Sequence, residues 1–102
     1  MISDRRNSRR HPVDLFVECR VPATATSAIM IDLSDSGCRI ATREKLHLGQ
    51  TVIVRFRGHK EIAGTVAWSK ANVAGLRFSL ALEDDELDEL VEQFAVQRSS
   101  AA

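Results

Sequence analysis

Two arginines near the start of the chain have the spacing of an anion-binding pair. Arg6 and Arg10 form an Arg-x-x-x-Arg motif that is followed directly by His11, Pro12 and Val13. In an extended chain, residues four apart lie on the same side and are separated by about 13 Å. Two guanidinium groups at that distance can contact opposite ends of a small polyanion. Arginine pairs at this spacing are common, so the motif alone fits a solvated basic tail equally well.

A second motif, Asp32-x-Ser34-x-x-Gly37, follows the first with one predicted strand between them. A carboxylate and a hydroxyl two residues apart on a strand point to the same face. Gly37 permits the positive φ that a tight turn often needs. The pattern is also typical of an Asx or Ser turn that closes a hairpin. By itself the motif leaves a binding role and a turn role open.

The segments that must position these motifs alternate between apolar and polar residues, which predicts strands. The six predicted strands cover 13–21, 28–33, 38–43, 50–56, 61–68 and 73–80. Turn residues separate them at short intervals, which favours an antiparallel barrel or sandwich. From Leu87 to Ala95 the apolar period becomes helical, and acidic residues precede it, so an amphipathic helix should close the chain.

The 102 residues are enough for one domain. We expect a flexible basic arm over residues 1–12, a folded domain over 13–97 and a loose tail over 98–102. The arm has too few apolar residues to fold alone, and ordering residues 4–11 would cost on the order of 10 kcal/mol. The arm should therefore become ordered only when a ligand supplies contacts.

Composition excludes several classes of protein. The formal net charge is zero, which argues against binding polyanions by bulk charge. No stretch approaches the roughly 20 apolar residues of a membrane span, so we expect a cytoplasmic protein without membrane insertion. Cys19 and Cys38 lack metal-ligand spacing and fall on inward strand positions, which predicts two reduced, buried thiols. The three histidines have no catalytic partners, so no metal, cofactor or catalytic residue is expected.

Taken together and in this order, the two motifs resemble the signature of the PilZ family, receptors for the bacterial second messenger cyclic di-GMP. The resemblance extends over essentially the whole chain and includes Trp68, the strand at 75–78 and the closing helix. It implies an all-β fold with one helix, in which a six-stranded antiparallel β-barrel carries a C-terminal α-helix. It also implies a receptor without enzymatic activity.

The resemblance implies a set of ligand-binding residues. They are Arg5, Arg6, Arg9, Arg10, Asp32, Ser34 and Gly37. Arginine pairs with guanine O6 and N7, pairs with phosphate and stacks on purines, whereas Asp32 can accept hydrogen bonds from the guanine N1–H and N2–H groups. In similar families an arginine just before the first motif, here Arg5, accompanies two stacked ligand molecules per chain. An effector protein would then receive the signal.

Two other functions fit parts of the sequence. A small barrel with a basic arm also describes nucleic-acid-binding modules, but the chain has only four Phe and one Trp, and all except Phe16 are predicted to point inward. We therefore expect no nucleic-acid partner. Asp35-Ser36-Gly37 matches an aspartic-protease triplet, but the apolar stretch that should lead into such an aspartate is interrupted by Ser34. A dimeric protease is accordingly a remote alternative.

Overall fold

Six antiparallel strands close into a barrel in the computed structural model, which describes residues 9–21, 24–56 and 60–94. The elements are β1 (His11–Val21), β2 (Thr24–Leu33), β3 (Gly37–Ala41), β4 (Thr51–Arg55), β5 (Glu61–Lys70), β6 (Val73–Phe78) and α1 (Asp84–Phe94). Their order around the barrel is β1-β2-β3-β6-β5-β4, and β4 pairs with β1 to complete the circle. The predicted barrel with a C-terminal helix is confirmed.

The core is built from the inward positions of the strands. On β1, buried and exposed residues alternate over most of the strand. Cys19 and Cys38 are buried and free, as predicted. Burial raises the pKa of the Cys19 thiol to about 11 and also raises that of Cys38. Both cysteines therefore act as small apolar side chains and not as nucleophiles.

The helix α1 covers the barrel next to β1. Leu87 and Leu90 are buried, and Val91 and Phe94 pack against the core from partly buried positions. The Glu86 carboxylate accepts a hydrogen bond from the backbone N–H of residue 83, which satisfies one of the free N–H groups at the helix start. No helix of the described residues has the length and apolar character needed to cross a membrane.

Register shifts decide which residues face outward near the ends of the strands. One shift lies between Met30 and Asp32 in the pairing of β2 with β3, and another lies between Val66 and Trp68 in the pairing of β5 with β6. Each inserts one extra residue and turns the next side chain to the other face. Trp68 was predicted to point inward. That prediction is wrong, because the shift places it on the outer face, where it is 40% exposed.

Candidate ligand-binding site

Five residues form one row across the outer face of the barrel. Pro12 of β1 is the register partner of Asp32 on β2, and Asp32 is the partner of Arg39 on β3. Arg39 is paired with Gly75 on β6, which in turn is paired with Trp68 on β5. The row therefore brings the aspartate of the second motif, the proline two residues after the first motif and the tryptophan onto one continuous surface.

The carboxylate of Asp32 is the centre of this row. It is buried, with 5% of the residue exposed, and two arginines hold it. Arg10 Nη1 donates to Oδ1 over 3.0 Å, and Arg39 Nε donates to Oδ2 over 2.7 Å. A buried carboxylate is tolerated only when it is paired and hydrogen-bonded, and these contacts meet that requirement. Arg10 thus joins the two motifs through a direct ion pair.

Both arginines keep part of their guanidinium groups in solvent. Their side chains are 49% exposed for Arg10 and 43% exposed for Arg39, while the acid between them is not accessible to the same degree. Two positive charges against one negative charge leave this cluster with an excess positive charge. The remaining N–H donors can bind an anion or the acceptor edge of a base.

The turn between β2 and β3 is organised by Ser34. The Ser34 hydroxyl accepts hydrogen bonds from the backbone N–H groups of Ser36 and Gly37, both over 3.2 Å. The Ser34 backbone N–H donates to the Gly37 carbonyl over 2.8 Å. Ser34 is almost fully buried, so its visible role is the turn, and the turn fixes where Asp32 and Arg39 meet.

The structural reason for a glycine at position 37 differs from the one expected from the sequence. Gly37 is the first residue of β3, and its φ is not in the positive range, so the expectation of a positive-φ turn is wrong. A Cβ atom at this position would overlap the backbone carbonyl oxygen of Leu76 on β6. The glycine is therefore required by the close approach of two strands.

The described part of the arm is more ordered than expected. Arg10 contacts Asp32, and β1 begins at His11, which is paired with Leu33. Residues 10–12, which were expected to belong to the flexible arm, are therefore held to the barrel, because the buried carboxylate provides a charge-assisted partner for Arg10. Arg9 is exposed beside it. The predicted ligand residues Arg5 and Arg6 lie outside the described residues.

Sequence reasoning missed two residues of this row. Arg39 follows the inward Cys38 on β3, so strand alternation could have identified it as an outward cation next to Asp32. No local sequence pattern indicates that the Trp68 side chain faces outward, because the register shift between β5 and β6 sets its orientation. The Trp68 ring lies over Gly75, where an added Cβ would come within 2.9 Å of Cδ1. Because Gly75 has no side chain, the Trp68 ring can pack against the outer face of β6 at this position.

Comparison with known families decides the classification. The family model described as PilZ domain matches residues 4–95. The chain belongs to the PilZ family. PilZ domains are cyclic di-GMP-binding receptor domains and not catalytic domains, which agrees with the expected function class. The match includes both motifs and the whole barrel.

The PilZ barrel of this chain is similar to a solved structure titled the Bacillus subtilis inhibitor of motility (MotI/DgrA). The two share a TM-score of 0.65 at 15% sequence identity, over 90% of this chain and 52% of the other. The chain thus spans about half the length of that protein, and the likeness concerns the fold. No curated protein sequence matches the chain.

The buried ion pair predicts an unequal cost for two arginine substitutions. Arg39→Ala should lower the free energy of unfolding by about 1–3 kcal/mol, because it removes the shorter of the two contacts to a buried carboxylate. Arg20→Ala is the control, since its 3.3 Å pair with Glu61 is exposed and should be worth less than about 1 kcal/mol. Urea denaturation measures both. Equal losses would show that Asp32 does not depend on Arg39.

Proposed function

We propose that this chain binds cyclic di-GMP on the outer face of the barrel, along the row from Asp32 through Arg39 to Trp68, and passes the signal to an effector protein. The observation that carries the proposal is the pairing of the buried Asp32 with two half-exposed arginines beside an exposed aromatic ring. Membership of the PilZ family supports the choice of ligand. The bacterial cytoplasm, where this messenger acts, is the proposed location.

The chemistry of the row matches the chemistry of the ligand. Cyclic di-GMP has two phosphates, each with one negative charge, and two guanines, each with an acceptor edge and an N1–H and N2–H donor edge. Arg10 and Arg39 supply forked donors for phosphate or for O6 and N7. Asp32 is the acceptor that the guanine donor edge needs. Trp68 offers an aromatic face on which a purine can stack.

Binding would exchange partners at Asp32. Arg10 holds Oδ1 of this carboxylate, and Arg39 holds Oδ2. A carboxylate has about four lone-pair sites, so a guanine edge can replace Arg10 while Arg39 keeps its contact. Arg10, once released, is free to pair with a phosphate. This exchange moves the arm, and with it Arg5, Arg6 and Arg9, toward the bound ligand.

The direct support for a second candidate, a nucleic-acid-binding module, is the exposure of Trp68. An exposed aromatic ring beside arginines also suits a single-stranded base. The family assignment favours the dinucleotide, and a short oligonucleotide in the binding experiment separates the two functions.

Ser34 and Gly37 are assigned to the turn that supports the site, with the ligand approaching the backbone there.

Titration calorimetry tests the ligand assignment. Cyclic di-GMP should bind, whereas GMP and a short single-stranded RNA should bind far more weakly. Arg10→Ala and Arg39→Ala should each reduce the affinity by about ten- to a hundredfold, because each removes a charge-assisted contact worth roughly 1.5–3 kcal/mol. The Arg20→Ala variant should keep the wild-type affinity. Two ligand molecules per chain are expected if Arg5 takes part.

Three results of this titration would contradict parts of the proposal. Wild-type affinity in both site variants would remove the row as the binding surface. Preference for RNA over cyclic di-GMP would favour the nucleic-acid module. A stoichiometry of one would remove only the assignment of a second ligand molecule.

Fluorescence tests the role of Trp68 separately, because it is the single tryptophan of the chain. Stacking of a guanine on the ring should quench its emission in proportion to site occupancy. Trp68→Ala should weaken binding by about tenfold, the effect of losing one base stack, and Trp68→Phe should lose much less. Unchanged emission at saturating ligand, with unchanged affinity in Trp68→Ala, would show that the ring is not a stacking surface.

A further inference from the structure

A second outer surface of the barrel is apolar. Phe16 on β1 is 68% exposed, and its register partner Ile29 on β2 is exposed beside it. Ala41 on β3 continues this row. Phe16 stands at an outward position of β1 where its neighbours two residues away, Asp14 and Glu18, are charged. Phe16 and Ile29 together form a contiguous exposed apolar patch, and a patch of this kind marks a contact surface.

A groove of small side chains lies next to this aromatic residue. Most of its lining consists of short side chains, and Ile29, Arg43, Asn72 and Phe16 itself complete it: the short ones are Ala25, Thr26, Ser27, Ala28, Ala41 and Thr42. Short side chains on adjacent strands leave room for a ring from outside. The same face therefore carries both a protruding ring and a depression that can receive one.

Opposite charges flank the groove. Glu18 on β1 is the register partner of Ser27 on β2, and Arg43, just beyond β3, lines the groove on the other side of Ser27. Glu18 has an exposed contact of 3.5 Å with Arg55, which is a weak interaction. Ile29 is paired with Ala41, so continuing this register by two residues would place Arg43 level with Ser27, and therefore with Glu18 on the other side of β2.

We infer that this face binds a second copy of the chain about a two-fold axis that lies in the interface and runs parallel to β2. Such an axis exchanges β1 with β3. It therefore places Phe16 of each copy over Ala41 in the groove of the other, and Glu18 of each copy opposite Arg43 of the other. An isologous dimer requires a self-complementary surface. This face meets that requirement because it carries both the ring and the groove, and both the acid and the base. An aromatic residue at its centre with charges at its rim is typical of such interfaces.

This surface adjoins the row that contains Asp32 without including it. Ala41 lies two residues beyond Arg39 on β3, which corresponds to about 7 Å along the strand. Because the two-fold axis runs parallel to β2, the candidate ligand sites of the two copies would lie next to each other at the same end of the interface. Dimer formation can be measured without any ligand.

Sedimentation velocity over a range of micromolar concentrations tests the inference with the full chain. The wild type should show a reversible monomer–dimer equilibrium. Phe16→Ser should weaken dimerisation by at least about tenfold, the usual effect of truncating a central aromatic contact. Leu80→Ser is the matched control, because Leu80 is 79% exposed and lies outside the groove. It should leave the equilibrium unchanged.

Charge reversal tests the orientation. Glu18→Arg and Arg43→Glu should each weaken the dimer through like-charge contacts, and the two substitutions in one chain should restore it. Circular dichroism checks that every variant is folded. A wild type that stays monomeric throughout would overturn the inference, as would equal behaviour of Phe16→Ser and Leu80→Ser. Failure of the double charge reversal to restore association would overturn the two-fold arrangement.

Discussion

The candidate site depends on one buried carboxylate. Asp32 is withdrawn from solvent, and removing such a group from water costs several kcal/mol unless partners compensate. Arg10 and Arg39 compensate from two directions. Because one of these arginines comes from the arm and the other from β3, a single charge links the start of the chain to the barrel wall.

The backbone around Asp32 positions the side chains of the candidate site. The register shift before Asp32 turns its side chain outward, and the turn closed by Ser34 brings β3 alongside. Gly37 lets β3 approach β6 closely enough that Arg39 and Gly75 are neighbours. Gly75 in turn makes room for Trp68. Each feature has a local steric or hydrogen-bonding reason, and together they place charges and an aromatic ring on one surface.

Much of the fold could be predicted because buried and exposed residues alternate regularly along most of the strands. Strand alternation identified all six strands, and the helical period identified α1. The missed parts are those where the period breaks. The strand β2 begins at Thr24 and not at residue 28, because the polar residues at its start pair with β1 as a hairpin without a buried face.

The site was predictable to a smaller extent. Asp32 and Arg10 were identified through the two motifs, and the structure brings them into contact. Arg39 belongs to neither motif, although its outward direction follows from the alternation on β3. The outward orientation of the Trp68 side chain depends on one extra residue in β5, and no local sequence pattern predicts that residue. The positive φ expected at Gly37 failed because the constraint comes from a neighbouring strand, which is distant in sequence.

We propose that Asp32 exchanges Arg10 for the ligand while it keeps Arg39. Arginine side-chain ¹⁵N–¹H NMR spectra, recorded with and without cyclic di-GMP and assigned through Arg10→Lys and Arg39→Lys, follow both arginines during binding. The guanidinium signals of Arg10 should shift strongly on binding, and the Nε–H signal of Arg39 should remain protected from solvent exchange in both states. Unchanged Arg10 signals at saturation, or loss of protection at Arg39, would show that this exchange does not occur.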